Sequence, residues 1–198
     1  MNDNDPRTTE ETRHRLLILA DMGNEPDEEQ QMVHMIMCSN AFDLEGLIAV
    51  TGKYLQTAMT DPFKQVTHPE LFDPILDAYE QVLDTLKLHA DGWHDPDDLR
   101  ALVKAGQPKY GMDGVGAGQS SPGSERIVEA LTGGDPRPLW VVVNAGSNTL
   151  AQALWDIRDR YRPETVERLV ANLRVFENGA QDNAGAWACH EFPAIHWI

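Results

Sequence analysis

An acidic segment with a glycine turn follows the first apolar run of the chain. Residues 16–20 are wholly apolar, Asp21 comes directly after them, Gly23 allows a turn, and residues 27–29 are all acidic. Because Pro26 suits the first position of a helix, these last acids are predicted to lie in a first helical turn. Carboxylate oxygens with no histidine or cysteine among them suit a hard cation such as Ca²⁺. The segment therefore predicts a calcium site at the end of a strand.

A purely structural role for these acids competes with that interpretation. Acids in a first helical turn complement the helix dipole by about 0.3–1 kcal/mol each, which is enough to explain residues 27–29 taken alone. Asp21 is not explained in this way, because solubility is a poor reason for a carboxylate directly after a buried strand. Asn24 and Glu25 add oxygens in the same turn. We therefore expect three or four carboxylates to converge at the edge of a sheet, where a bound cation would offset their repulsion.

The charge and cysteine content of the chain argue against several classes of partner and site. The 198 residues, enough for one domain, carry a formal net charge of −16, which would repel nucleic acid and anionic membrane surfaces. Two cysteines are too few for a disulfide framework, and Cys38, in an apolar helical run, is predicted to be buried. No apolar run approaches the length of a membrane span.

The start of the chain differs in composition from the rest. Residues 1–15 are polar and lack the apolar core of a signal peptide. They are predicted to form a disordered leader ahead of a single α/β domain over residues 16–198. The predicted compartment is the cytoplasm, unless the native N-terminus differs and carries an export signal.

Short apolar runs alternate with amphipathic segments along the domain. The runs predict strands over residues 16–20, 44–50, 139–143 and 173–176, with a fifth strand starting within 194–198. The amphipathic segments predict helices over residues 26 to about 39, 71–86, 96–105, 124–131, 148 to about 157 and 163–171. The first of these helices is predicted to be buried on most sides. This order predicts an α/β fold with a mainly parallel sheet and helices on both faces.

In such a sheet the carboxyl ends of the strands lie along one edge, where ligands bind. Asp21, Thr51, Asn144 and Glu177 follow the predicted strands and are therefore expected at this rim. Asn24, Asn144 and Glu177 are candidates for substrate binding on this ground.

Residues 21–28 resemble the N-terminal metal loop of the nucleoside hydrolase superfamily. In those enzymes the loop reads Asp-x-Asp-Pro-Gly-x-Asp-Asp. Asp21 matches the second aspartate, Gly23 the glycine and residues 27–28 the closing pair, whereas Leu19 replaces the first aspartate and two residues are inserted. The Asn-Glu-Pro-Asp spelling after Gly23 is closest to the nucleoside-hydrolase-like domain of proteins described as cellulose-binding. Further segments that resemble the same branch are residues 42–50, 135–154 and 181–187.

The resemblance implies a nucleoside-hydrolase-like, Rossmann-like core and a role for several residues. In the resembling enzymes calcium holds a water and the ribose diol, so Asp21 would bind the metal and act as the catalytic base that takes a proton from that water. Glu28 would also bind the metal, Asn148 would offer it a backbone carbonyl, and Asp27 would contact the ribose hydroxyls. The family domain runs on past the point equivalent to Ile198, and its last metal-binding aspartate and a leaving-group histidine lie in that further part.

Three functions remain open from the sequence. The leading hypothesis is a calcium-dependent N-glycosidic hydrolase-like domain that acts on a ribonucleoside or a related ribosyl compound. The rival is a carbohydrate-binding module on the same fold that binds cellulose without catalysis, and the third is an inactive fragment. The predicted ligand is a small nucleoside or carbohydrate. An uncovered apolar sheet face or an open sheet edge is expected to favour a homo-oligomer.

Two other features are weaker indications of a ligand site. Residues 114–118 form a glycine-rich loop without the lysine and serine or threonine of a P-loop, so a flexible lid or a plain loop is favoured over a phosphate site. Trp93 and Trp187 lie in segments predicted as loops, where an indole can stack on a sugar or a base or simply pack in the core.

Overall fold

A parallel sheet of six strands forms the frame of the computed structural model, which describes residues 13–198. The strands are β1 (His14–Ala20), β2 (Phe42–Ala49), β3 (Val103–Ala105), β4 (Leu139–Val143), β5 (Leu173–Glu177) and β6 (His196–Trp197), in the spatial order β3-β2-β1-β4-β5-β6. The helices are α1 (Pro26–Ile36), α2 (Asp73–Leu86), α3 (Pro96–Leu102), α4 (Pro122–Thr132), α5 (Asn148–Arg160), α6 (Pro163–Ala171) and α7 (Ala184–Glu191). Short 3-10 helices occur at Ser39–Ala41, Pro62–Gln65, Pro69–Phe72 and Gly111–Gly114. The predicted α/β fold with a parallel sheet is confirmed.

The central strand β1 is buried on both of its faces. Leu17 and Leu19 pack into a core shared with α4 to α7, whereas Leu16 and Ile18 pack into a second core with α1 to α3. Successive side chains of a strand point to opposite faces of the sheet, so a strand between two helical layers must be apolar at nearly every position. This requirement explains the apolar run that precedes Asp21.

The N-terminal boundary of the domain lies slightly earlier than predicted. β1 begins at His14, whereas the strand was predicted to begin at Leu16. The disordered leader predicted for residues 1–15 otherwise falls on residues 1–12, which lie outside the described residues. Among the helices of residues 13–198, none is long and apolar enough to cross a membrane.

The prediction of one helix over residues 96–105 is wrong at its C-terminal end. α3 ends at Leu102, and Val103–Ala105 instead pairs with β2 as the short strand β3. Three half-buried residues give no periodic pattern of their own. Their conformation depends on pairing with β2, so the local sequence cannot reveal it.

The prediction that the first helix is buried on most sides is also wrong. α1 buries Glu28, Met32 and Ile36 along one side, whereas Val33 is 50% exposed. Cys38, predicted to be buried, is exposed. The helix packs its buried side against the sheet, α2 and the 3-10 helix at Pro69–Phe72, whereas its outer side is left exposed.

One sheet face carries an apolar row that helices cover at one end and leave open at the other. Ile18 on β1 pairs in register with Val142 on β4, and Val142 pairs with Phe176 on β5. Ile18 is 2% exposed under α1, but Phe176 is 45% exposed. The row is therefore open to solvent at Phe176, and the homo-oligomer expected from the sequence stays a prediction. Such a surface favours association, because contact with another apolar surface removes it from water.

We expect the chain of 198 residues to self-associate at high concentration through the face around Phe176. Phe176→Glu should abolish the association, because burying the introduced carboxylate against an apolar surface is costly. Sedimentation velocity over a concentration series measures the effect. Leu88→Glu is the matched control, since Leu88 is an isolated side chain that is 82% exposed, and it should leave association unchanged. A wild-type chain that stays monomeric at every concentration would contradict this expectation.

Candidate carboxylate site at the sheet rim

Asp21 lies at the carboxyl end of β1, between the ends of the two neighbouring strands. Its side chain is 2% exposed, and Asn24 Nδ2 donates to Asp21 Oδ2 at 2.9 Å. A tight turn holds this geometry, because the backbone N–H of Asn24 also donates to the carbonyl of Asp21 at 2.9 Å. Burial raises the pKa of Asp21 to about 7; the hydrogen bond from Asn24 opposes that rise, and the charges of Asp27 and Glu25 add to it. A carboxyl group with this pKa is about half ionised at neutral pH, so it can accept or release a proton there.

Glu28, in the first turn of α1, supplies a second buried carboxylate beside Asp21. Glu28 is 6% exposed, and its pKa is raised to about 7, first by burial and then by the negative charge of Asp21. A hydrogen bond with Asn144 opposes that rise. Two carboxylates that repel each other in a buried site are not both ionised easily. At neutral pH the Asp21–Glu28 pair therefore tends to keep a proton unless a cation replaces it.

The expected convergence of three or four carboxylates is wrong. Asp27 and Glu25 are exposed, and Glu29 Oε1 accepts a hydrogen bond from the backbone N–H of Gly23 at 3.0 Å. Within residues 13–198, no group of three or more Asp, Glu, His or Cys side chains is placed to hold a metal ion. Successive residues of a helix point about 100° apart, so residues 27–29 cannot all face Asp21.

Asn144 is close to the carboxylate pair, as its predicted position after β4 requires. It is 4% exposed, and its side-chain Nδ2 donates to Gln31 Oε1 at 3.0 Å. Its backbone carbonyl accepts a hydrogen bond from Gln181 Nε2 at 3.2 Å. These two contacts connect the end of β4 to α1 and to the loop before α7.

Asn148 is fully buried at the first position of α5. Its side-chain Nδ2 donates to Thr51 Oγ1 at 2.9 Å and to the carbonyl of Lys109 at 2.7 Å. The helix begins here as predicted, with Ser147 at the capping position. The Ser147 hydroxyl, however, donates to Glu177 instead of to the helix backbone. Asn148 therefore joins the ends of β2 and β4 at the rim.

Glu177, at the end of β5, makes contacts within the protein through both carboxylate oxygens. One oxygen accepts from the Ser147 hydroxyl, and the other accepts from Trp197 Nε1 at 3.1 Å. These contacts fix the ends of β5 and β6 to the start of α5. The predicted substrate-binding roles of Glu177, Asn24 and Asn144 stay predictions.

Asp182 and Gln181 also lie at the rim, although the sequence indicated no role for either residue. Asp182 accepts hydrogen bonds from the backbone N–H groups of Asn148 at 3.2 Å and of Ala184 at 2.8 Å, so one carboxylate caps both α5 and α7. Burial raises the pKa of Asp182. The available signal was an aspartate two residues before a helix start, but α7 itself was not predicted. Because that helix was not predicted, residues 181–187 stood out only through their resemblance to the nucleoside-hydrolase-like branch.

The tryptophans and the glycine-rich loop have contacts within the protein. Trp93 Nε1 donates to the carbonyl of Ala90 at 2.9 Å, and the ring packs on the α1–α3 core. Trp187 lies on α7, not in the predicted loop, and packs on the other core. Gln107 Nε2 donates to the carbonyls of Gly114 and Gln119. These bonds fix the glycine-rich segment and favour a plain loop over a lid.

Comparisons with known proteins agree with this architecture. Residues 15–198 match the sequence profile of the family described as cellulose-binding Sde182, nucleoside hydrolase-like domain. The chain belongs to this family. A solved structure, described as a nucleoside hydrolase-related hypothetical protein from Saccharophagus degradans that is associated with carbohydrate metabolism, is 37% identical with a TM-score of 0.84. The match covers 91% of this chain and 42% of that chain. No curated protein gave a significant match.

Membership of this family confirms the resemblance inferred from the acidic loop and the nucleoside-hydrolase-like core. The matched region includes Asp21, Glu28 and Asn148. Neither the family description nor the related structure tests calcium binding or catalysis, so these remain matters for proposal.

The donor chemistry of the rim fits a hard cation such as Ca²⁺. Asn24 Oδ1, Glu28 Oε2 and Asn148 Oδ1 are buried and have no hydrogen-bond partner among the described residues. A buried oxygen without a partner costs about 1–3 kcal/mol, so each of these atoms would gain from a cation or a bound hydroxyl. Calcium takes about six to eight oxygens from carboxylates, carbonyls and waters. The carboxylate oxygens of the Asp21–Glu28 pair and the amide oxygens of the rim are ligands of the type that calcium prefers.

Gly52 brings the backbone directly against the Asp21 carboxylate. A Cβ atom at position 52 would lie 2.3 Å from Asp21 Oδ2 and 2.7 Å from Gln181 Oε1. We expect Gly52→Ala to push the Asp21 side chain out of place and to weaken ligand or calcium binding at least tenfold, as measured by titration calorimetry. Repacking should cost about 1–3 kcal/mol of stability. Gly133→Ala, at the end of α4, is the control and should bind normally; equal binding by both variants would contradict the expectation.

Proposed function

We propose that the rim around Asp21 binds a sugar together with a calcium ion and hydrolyses an N-glycosidic bond. The observation that carries this proposal is the buried Asp21–Glu28 pair at the carboxyl edge of the sheet. Both carboxyl groups have a pKa of about 7 without a partner ion, and buried groups with such perturbed values are concentrated at functional sites. Their position matches the place where α/β sheets bind ligands.

Each side chain then has a distinct task. Asp21, with a pKa near neutrality, would accept a proton from a water that attacks the anomeric carbon of the sugar. The C–N bond to the base breaks in the same step, and the base leaves with the bonding electrons and takes up a proton from solvent. Asn24 holds the Asp21 carboxylate in one orientation through its hydrogen bond. Asp27 is exposed beside the pair and would bind sugar hydroxyls. The attack passes through a transition state with oxocarbenium character, as in glycoside hydrolysis generally.

Asp21, Glu28 and Asn148 would hold the cation. When bound, a calcium ion supplies positive charge that acidifies and orients a water. It would also remove the electrostatic cost of ionising both carboxylates of the pair.

The test of this proposal is base release from ribonucleosides. The wild-type protein, freed of metal and then supplied with calcium, is incubated with inosine or uridine, and free base is measured by chromatography. We expect calcium-dependent release that is lost in Asp21→Ala and kept in Asp98→Ala, which changes a first-turn acid of the distant helix α3. Release that is absent with calcium, or that is equal in Asp21→Ala, would contradict hydrolysis.

The second candidate is carbohydrate binding without catalysis. Two observations favour it: the family is described as cellulose-binding, and the described residues bring together two rather than three metal-binding acids. Retention on insoluble cellulose, with no base released from any ribonucleoside, supports this candidate. In that case the Asp21–Glu28 pair binds hydroxyl groups, and Asp21→Ala should lower retention.

A further inference from the structure

We propose that Tyr54 and Phe63 form an aromatic lip that binds a neutral glycan of several sugar units across the acidic loop. This inference rests on the proposed sugar site at Asp21 and names the class of ligand that the site takes. The two rings belong to the segment between β2 and α2. Each ring is about half exposed, Tyr54 at 49% and Phe63 at 48%.

Tyr54 is at the tip of a tight turn that is fixed beside Asp21. Gly52 and Leu55 exchange two backbone hydrogen bonds of 3.0 and 3.2 Å, which leaves Lys53 and Tyr54 at the end of a two-residue hairpin. Gly52 contacts the Asp21 carboxylate on one side, and Leu55 is fully buried on the other. Both ends of the hairpin are therefore anchored, and the exposed ring of Tyr54 is held at the rim.

A further contact orders the hairpin tip and the neighbouring loop together. Gln181 Oε1 accepts from the backbone N–H of Lys53 at 3.0 Å, and Lys53 Nζ lies 5.3 Å from the centre of the Tyr54 ring. The ring is thus positioned before any ligand arrives. Such preorganisation lowers the entropic cost of binding.

Phe63 lies against the same acidic loop at Gly23, two residues after Asp21. A Cβ atom at position 23 would lie 3.1 Å from Phe63 Cε1, so the ring touches the loop backbone. One face of the ring stacks on the buried His68 ring, with centres 3.9 Å apart and planes 16° apart. Phe63 also lines an open cavity of about 600 Å³ that Glu25 and Glu29 border. The ring is backed by protein and available to a ligand.

An aromatic ring beside carboxylates matches the chemistry of a neutral sugar. A pyranose ring presents an apolar face of C–H groups, which stacks on an aromatic ring, and an edge of hydroxyls, which donate to carboxylates. β-linked glucans are flat and expose such faces on successive units. The exposed Glu25 and Asp27 and the net charge of −16 would repel an anionic glycan or a nucleotide.

The two rings lie beside one acidic loop, because Gly52, two residues before Tyr54, contacts Asp21 and Phe63 contacts Gly23. A single pyranose offers its apolar face to one ring at a time, whereas a chain offers one such face for each linked unit. The affinity is therefore expected to increase with the number of linked units. The lip would therefore add a binding surface for linked sugar units next to the proposed sugar site at Asp21.

Titration calorimetry with glucose, cellobiose, cellotetraose and cellohexaose tests the inference on the full chain with calcium present. We expect affinity to rise at least tenfold from cellobiose to cellohexaose. Tyr54→Ala and Phe63→Ala should each lower cellohexaose affinity about tenfold, whereas Tyr54→Phe should keep it. Tyr161→Ala is the matched control, because Tyr161 is also a half-exposed ring but lies after α5, away from the acidic loop. Circular dichroism of each variant verifies folding.

The outcomes separate this inference from the proposed function. If cellohexaose binds no better than cellobiose, or binds equally to Tyr54→Ala and Tyr161→Ala, the lip is not a glycan platform. In that case, calcium-dependent base release that is lost in Asp21→Ala would still support the proposed function. If no glycan binds and no base is released, both are overturned. Affinity that rises with length and falls in both alanine variants supports the lip whether or not the site is catalytic.

Discussion

Replacing Asp21 by asparagine is expected to stabilise the metal-free protein while removing the hydrolysis proposed for it. The introduced amide would have nearly the same shape as the carboxylate and could still accept the hydrogen bond from Asn24, but it carries no charge. The rise of the Asp21 pKa from 3.8 to about 7 shows that the folded protein disfavours the ionised form. Removing that charge should add about 2–4 kcal/mol to the free energy of unfolding at a pH of about 8, since a rise of about three pKa units corresponds to at most about 4 kcal/mol at about 1.4 kcal/mol per unit.

Loss of the base in Asp21→Asn should at the same time lower base release by about 10²–10⁴-fold. Urea unfolding with a chelator and a base-release assay with calcium measure the two effects. Asp98→Asn is the control for stability, because Asp98 is an exposed carboxylate on α3 that does not affect the pKa of Asp21. If Asp21→Asn is less stable than the wild type at this pH, the folded protein stabilises the charged carboxylate. That result would contradict the expected cost of ionising Asp21.

The second large effect is an inverted dependence of stability on pH. In the folded state the pKa values of Asp21 and Glu28 are about 7, whereas their ordinary values are 3.8 and 4.5. Between these limits the folded state binds more protons than the unfolded state, so the free energy of unfolding falls as pH rises. Without metal, the protein should therefore be more stable near pH 5 than near pH 8, by about 2–4 kcal/mol after allowance for coupling between the two groups.

Chemical unfolding with a chelator at a series of pH values measures this dependence. The Asp21→Asn variant should flatten the curve above about pH 5, because the more strongly shifted group is gone. Asp135, whose pKa is lowered to about 2 by its hydrogen bonds with Arg137, acts in the opposite direction, and its contribution is lost only below its ordinary value of 3.8. Stability that rises steadily from pH 5 to pH 8 without metal would contradict the buried pair.

Most of the fold could be predicted because the strongest strands are buried on both faces. β1 and β4 have few polar side chains, so their apolar runs reveal them without knowledge of their partners. The positions of β3 and α7 could not be predicted in this way. Three half-buried residues become a strand only when β2 is beside them, and α7 begins where Asp182 caps it from within the rim. Their conformations depend on tertiary contacts that local pattern does not encode.

The candidate site was predictable in part for a similar reason. The aspartate after the first apolar run and the acids of the next helix indicated a carboxylate site, and the structure brings Asp21 and Glu28 together. The family resemblance assigned Glu28 to the metal, and Glu28 is the acid of residues 27–29 that is buried. The residue pattern alone did not distinguish the three acids, because their orientation depends on how α1 rotates against the sheet. Likewise, Gln181 is far from Asn144 in sequence and reaches it only through the folded loop.

Titration of the metal-free protein with calcium, in buffers of different ionisation enthalpy, measures whether the Asp21–Glu28 pair exchanges a proton for a cation. We expect a single calcium ion to bind per chain near neutral pH and protons to be released, because the cation replaces the proton kept by the pair. Asp21→Asn and Glu28→Gln should each lower the affinity at least tenfold. No calcium binding, or binding that both variants retain without proton release, would contradict this expectation.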